Sequence, residues 1–213
     1  AKVRSLSENQ VPIKETELKK TAGRFGDLIF CDFVYIKVPS VQGKYQYALV
    51  FIDTATRYVH SYMRCNRDKA EEVLQQYIKT IKSTKHPVTK QTRDISIIQA
   101  DNAKEFVGQK WKDICAQHKI QTRYPGAHAH ESQGIVERVL RTLEDMTRAM
   151  LHTAHCPQSE WEFAWQQAIL EYCGPAGRGD LFAILEAPRY LLTKAPRGVA
   201  VNDFRWTKDG GPY

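Results

Sequence analysis

Three strand-like runs divided by short polar turns, then a switch to helical spacing, constrain the fold of this 213-residue chain more than any other feature. Asp27 to Lys37, Tyr45 to Asp53 and Arg57 to Met63 are rich in β-branched and aromatic side chains. Gln42-Gly43-Lys44 and Asp53-Thr54-Ala55-Thr56 supply the turns. Connections this short join antiparallel neighbours, so the runs read as a meander. From Asp68 to Ile81, Val73, Leu74, Tyr77, Ile78 and Ile81 recur at helical spacing, with Asn66 or Asp68 placed to cap the first turn. One face of that helix is expected to pack on the sheet. A polar loop from Lys82 to Asp94 leads to the β-branched run Ile95-Ser96-Ile97-Ile98. A second helix near Phe106 to His118 and a short strand from Ile120 to Tyr124 follow. The alternation implies an α/β layered architecture.

Pro125 to Gln133 reads as a loop, and a long helix is expected from about Gln133 to about Leu151. Beyond Cys156-Pro157, the residues Trp161, Phe163, Ala164, Trp165, Ala168, Ile169 and Tyr172 suit one more packed helix, which Gly174-Pro175-Ala176-Gly177 ends. Trp161 and Trp165, four apart, are expected in the core rather than on a base-stacking surface. The plan is an arm or linker over 1–24, a core over 25–175 and a C-terminal extension over 176–213.

A hydrophobic content of 42% supports one good core, and a net charge of +7 with a pI near 9.1 attracts polyanions, of which nucleic acid is the commonest. The five cysteines are scattered, odd in number and without a Cys-x-x-Cys pair, which indicates reduced thiols in a reducing compartment. No apolar run reaches membrane-spanning length and no secretion signal follows Ala1-Lys2-Val3-Arg4-Ser5, so neither membrane insertion nor secretion is expected. The chain has no initiating Met and reads as a piece of something longer.

The candidate chemistry lies in three acids. Asp32 follows the apolar run Leu28-Ile29-Phe30-Cys31, where a charge is tolerated only at the strand's mouth or beside a partner. Asp101 ends Gln99-Ala100-Asp101-Asn102, and Glu137 lies in Ser132-Gln133-Gly134-Ile135-Val136-Glu137-Arg138, with 35 residues between the two. Two strand ends and a helix start can converge at one sheet edge. Carboxylates shared there would select Mg2+ or Mn2+ and open a site to a phosphate. Asp53, a fourth strand-end acid, sits at a hairpin and reads as structural. Neither His128-Ala129-His130 nor His152 with His155 and Cys156 completes a four-ligand zinc pattern.

These residues carry a resemblance. Gln99-Ala100-Asp101-Asn102-Ala103-Lys104-Glu105-Phe106, Ser132 to Arg138 and the interval between them are similar to the catalytic core of retroviral and long-terminal-repeat retrotransposon integrases. Phe51-Ile52-Asp53-Thr54-Ala55-Thr56-Arg57-Tyr58 and Glu137 to Met146 extend the likeness, which covers roughly residues 25 to 172 and is strongest to copia-like elements. It implies a ribonuclease-H-like three-layer fold, a mixed five-stranded sheet flanked by helices. It also implies a metal-dependent polynucleotidyl transferase and endonuclease that trims element DNA ends and joins the 3′-hydroxyl to target DNA. Asp32, Asp101 and Glu137 would be its catalytic and metal-binding triad, with Asn102, Lys104, Gln133, Arg138 and Arg141 on DNA. The implied partners are element and target DNA and further copies of the chain. The implied setting is the nucleus and cytoplasm, within a virus-like particle or preintegration complex.

Three positions depart from the family pattern: Ala103 stands for the usual Gly, Leu140 for the Asn of the Glu-Arg helix, and His130-Glu131 for Pro-Gln. They keep alive a catalytically decayed or domesticated DNA-binding and oligomerising module as an alternative. A related ribonuclease-H-like nuclease is another, although those enzymes usually need an acid on the first helix, where Glu71 and Glu72 lie. The family's zinc-binding and C-terminal DNA-binding modules are not recognisable in this sequence.

Overall fold

The computed structural model describes residues 24–83, 94–124 and 130–173. Three strands form the meander: β1 (Ile29–Tyr35), β2 (Tyr47–Asp53) and β3 (Val59–Arg64). The helix α1 (Ala70–Ser83) follows, then β4 (Ile97–Ala100), α2 (Lys104–Val107), α3 (Gln109–Gln117) and β5 (Gln121–Arg123). The long helix α4 (His130–Thr153), a 3-10 turn at Gln158–Glu160 and α5 (Trp161–Cys173) complete the described chain. The sheet runs β3-β2-β1-β4-β5, with β1 antiparallel to β2, β2 antiparallel to β3, and β4 parallel to both β1 and β5. This is the expected mixed five-stranded sheet. The expected arm at 1–24, apart from Arg24, and the expected extension at 176–213 lie outside the described residues.

The pleat sorts side chains onto two cores. Ile29, Cys31, Leu49, Phe51, Ile98 and Ala100 face one way, onto α1 and α3 through Leu74, Tyr77, Ile78 and Trp111. Phe30, Val34, Ala48, Val50, Ile52 and Ile97 face the other, onto α4 and α5 through Val136, Val139, Leu143, Trp161 and Trp165. A strand whose two faces are both covered reads as a continuous apolar run, which explains Leu28 to Cys31. The stripe Val73, Leu74, Tyr77, Ile78 and Ile81 is buried as its spacing predicts, and the Tyr77 ring stacks on Phe51 at 4.1 Å between centroids. Trp161 and Trp165 are core residues. Their indole N–H groups donate to Val38 O at 2.8 Å and Ser61 Oγ at 2.9 Å, so burial leaves neither donor unmet.

Several boundaries differ from expectation for local reasons. The helix expected from Phe106 to His118 is two helices, because Gly108 is extended (φ −62, ψ 151) and interrupts the spiral. The run Ile95 to Ile98 pairs two residues later, over Ile97–Ala100. The backbone before it is held instead by Ser96 N–H donating to Gly26 O at 2.8 Å. The long helix starts at His130 rather than near Gln133. Glu137 is thus the eighth residue of α4, in its third turn and beyond the reach of the N-terminal dipole.

Asp53 is structural, as its hairpin position implied. Buried to 1% exposure, it accepts from Gly26 N–H at 2.9 Å, Thr56 N–H at 2.6 Å and Thr56 Oγ1 at 2.7 Å. It thereby ties the entry to β1 to the β2–β3 turn. Gly26 has φ +89, and a Cβ there would stand 2.0 Å from Asp94 O. Only glycine lets the two segments approach so closely.

Candidate active site

The β1–β4 ladder sets the site. In this parallel pair Cys31 is the Cα partner of Ala100, so Asp32 and Asp101 are the next residues along two neighbouring strands. The alternation that sends Phe30 and Val34 toward α4 sends Asp32 the same way, and Asp101 continues the phase of Gln99. Only Asp101 stands at a strand end as expected, just past Ala100 of β4; Asp32 is the middle residue of β1, which goes on pairing with β2, so the two acids lie where the parallel β1–β4 pairing stops.

The two carboxylates differ in setting. Asp32 is half-buried and Asp101 is exposed. Desolvation raises the Asp32 carboxyl from its ordinary value near 3.8 to about 6; the Asp101 charge adds to the rise, while the Phe33 hydrogen bond and the Arg67 cation oppose it. Asp32 Oδ1 accepts from Phe33 N–H at 2.7 Å, and Asp101 Oδ1 accepts from Ala103 N–H at 3.0 Å. Each carboxylate is oriented by one backbone donor, which leaves its other oxygen for a ligand. Two hard oxygen donors that repel each other fit a divalent cation of the Mg2+ or Mn2+ type, since a shared positive charge removes the repulsion. The Cys31 thiol beside them is no rival nucleophile, because burial and the Asp32 and Asp101 charges push it well above the ordinary thiol range.

Glu137 is not joined to this pair. Among the described residues no three His, Cys, Asp or Glu side chains group closely enough to hold a metal ion. Glu137 is exposed on α4, followed by exposed Arg138 and, one turn on, exposed Arg141. Asn102 and Lys104 are exposed beside Asp101, and Gln133 falls in the first turn of α4. His128 lies outside the described residues.

Spacing alone does not reveal Arg67, in the loop between β3 and α1. Its Nε forms an ion pair with Glu105 Oε1 at 3.1 Å, and its guanidinium carbon lies 5.0 Å from the centre of the Phe33 ring. Phe33 follows Asp32, and Glu105 lies one turn beyond Asp101, so Arg67 spans the two segments that carry the acids.

The model of the integrase core domain matches residues 24–130. The chain belongs to the integrase core domain family. This integrase core is 27% identical over 146 residues to the retrovirus-related Pol polyprotein from transposon TNT 1-94 of Nicotiana tabacum, which covers 67% of the chain. It is 25% identical over 161 residues to that from transposon RE2 of Arabidopsis thaliana, which covers 76%. The chain spans about a tenth of the length of these polyproteins. Among solved structures, the catalytic core of BIV integrase superposes with a TM-score of 0.51 at 19% identity, over 71% of this chain and 89% of the other. The HTLV-2 integrase core in complex with magnesium, in a dimeric form, gives 0.52 at 18% identity, over 71% and 88%. These likenesses establish the ribonuclease-H-like fold of an integrase core of retroviral and retrotransposon type. No helix among the described residues is long and apolar enough to cross a membrane.

Proposed function

We propose that this integrase core carries out metal-dependent processing of element DNA 3′ ends and strand transfer into target DNA. The observation that supports the reading best is the Cys31–Ala100 register, which leaves Asp32 and Asp101 side by side just beyond the last pair of the parallel β1–β4 ladder. In this reading Asp32 and Asp101 would hold Mg2+ or Mn2+, and Glu137, which stands apart from them in this structure, would join the set only if α4 brings it closer. A metal so held neutralises phosphate charge, activates an attacking oxygen and stabilises a leaving one. Asp32 and Asp101 keep their outward oxygens aimed at the ligand through the Phe33 and Ala103 amides. Lys104, Arg138 and Arg141 neutralise backbone phosphates, and Asn102 and Gln133 supply neutral polar contacts.

Two features of the departures favour an intact site over a decayed one. Ala103 has φ −63, an ordinary value for any L-residue, so replacing the usual glycine strains nothing. Leu140 is partly buried against the core beneath α4, where an apolar side chain gains what an asparagine would lose. The HTLV-2 core was solved in complex with magnesium and in dimeric and trimeric forms, which accords with a divalent metal and a homo-oligomer for this chain. Element and target DNA are the proposed partners, and the nucleus, reached through the cytoplasm, is the proposed site of action.

The test is strand transfer with a 3′-hydroxyl oligonucleotide in Mg2+. Asp101→Asn is expected to abolish joining while DNA binding persists. Equal loss of joining and binding would show that the residue serves folding instead.

A further inference from the structure

We infer that the Arg67 guanidinium contacts a backbone phosphate of the DNA held at Asp32 and Asp101, an assignment that rests on the function proposed above. Arg67 is 40% exposed and lies against the two segments that carry the acids, through Phe33 next to Asp32 and Glu105 one turn beyond Asp101, so it is not a free surface cation. Glu105 engages its Nε, the Phe33 ring lies against its guanidinium carbon, and Phe33 in turn is fixed to Asp32 through its amide. Both anchors are rigid. Glu105 belongs to α2, and the Phe33 ring stacks on Phe106 at 5.5 Å and meets Tyr47 edge-on at 6.4 Å.

Glu105 approaches only Nε, which is buried and makes no hydrogen bond in the ion pair, so the forked Nη end of the guanidinium is not engaged by Glu105. A cation held on one edge, with two donors left on the other, suits the non-bridging oxygens of a phosphodiester. Its position makes it selective. Two acids repel a phosphate unless cations stand near, and Arg67 is a cation close enough to favour the ionised form of Asp32. The neighbouring cation Lys110 reaches Glu71 at 3.8 Å rather than the acid pair.

The experiment titrates duplex DNA with a 3′-hydroxyl end against the full 213-residue chain at constant Mg2+ and several salt concentrations. Wild type, Arg67→Gln, Arg67→Lys and Glu105→Gln are compared, with thermal melts to report folding. Arg67→Gln is expected to bind about tenfold or more weakly at low salt, with the log-log salt slope shallower by about 0.9. Arg67→Lys should keep the slope and lose part of the affinity, because an ammonium lacks the fork. Glu105→Gln should keep the slope, since the cation remains. Unchanged affinity and slope in a folded Arg67→Gln overturn the assignment and leave Arg67 as a tie between Phe33 and Glu105. Should Arg67→Gln unfold, the lysine variant decides: reduced affinity at unchanged slope supports the contact, and full wild-type affinity overturns it. Wild-type binding that is flat in salt would sink the proposed function itself. Steep wild-type binding with an unaffected Arg67→Gln sinks only the role of Arg67.

Discussion

Asp32 and Asp101 are adjacent across a parallel ladder, one half-buried and raised to about 6, the other exposed. The raised value fixes the sign of a pH effect. The folded state holds the Asp32 proton more tightly than the unfolded chain, so its contribution is fully favourable below about pH 3.8. It is lost as pH rises toward 6. Above pH 6 the metal-free fold carries a penalty on the order of 3 kcal/mol. Asp32→Asn is expected to raise the denaturation midpoint at pH 7.5 in the presence of a chelator, and to change it little at pH 4. Denaturant titrations at the two pH values check this.

Divalent metal should reverse the penalty. Mg2+ is expected to raise the thermal midpoint of wild type at pH 7.5 in proportion to the logarithm of its concentration, as any ligand of the folded state does. Asp32→Asn and Asp101→Asn should lose most of the shift. Calorimetric scans against Mg2+ concentration test it, and equal shifts in all three proteins would remove the acid pair from metal binding.

Asp53 should separate from Asp32 and Asp101 in every assay. Asp53→Ala leaves the buried Gly26 amide and the half-buried Thr56 amide without their acceptor, at a cost of about 2–4 kcal/mol. The surviving folded fraction should bind Mg2+ as wild type does. Metal titration of the refolded variant at low temperature measures this.

Gly26→Ala is expected to destabilise by more than about 2 kcal/mol, because the substitution combines a positive φ with a Cβ 2.0 Å from Asp94 O. Gly134 is the internal control. A Cβ there meets nothing within 4 Å and its helical setting favours alanine by roughly 0.5–1 kcal/mol. Thermal melts of the two variants should move in opposite directions.

Restoring the family pattern should not help. Ala103→Gly is expected to cost about 0.4–1 kcal/mol through the unfolded chain, and Leu140→Asn about 1–3 kcal/mol by placing an amide against the core. Neither should raise strand-transfer yield per folded molecule. A gain from either would mean that the position meets DNA rather than the fold.

Hydrophobic period read out the architecture because it reports burial directly. The stripe from Val73 to Ile81 and the run Leu28 to Cys31 have one packing solution each, and both occupy it. Asp32 and Asp101 were legible because each follows an apolar run, a place where an acid needs a reason, although Asp32 proves to be mid-strand rather than at a strand end. Period was silent where a single backbone angle decides. Gly108 splits one expected helix in two, and the start of α4 moves back to His130, which carries Glu137 away from the helix end. Arg67 was invisible for another cause. Its partners Phe33 and Glu105 are remote in sequence, and nothing local distinguishes it from a solvated loop arginine.

Because β1 packs a different helical layer on each side, its odd and even positions are not interchangeable. Losing or gaining a single residue ahead of Asp32 would rotate that carboxylate onto the layer built around Tyr77 and Trp111, and carry Ile29 and Cys31 to the opposite one. The strand can therefore drift in composition among apolar side chains of similar bulk, but its length is frozen. Insertions that enlarge or retune such a protein have to enter through the connecting loops.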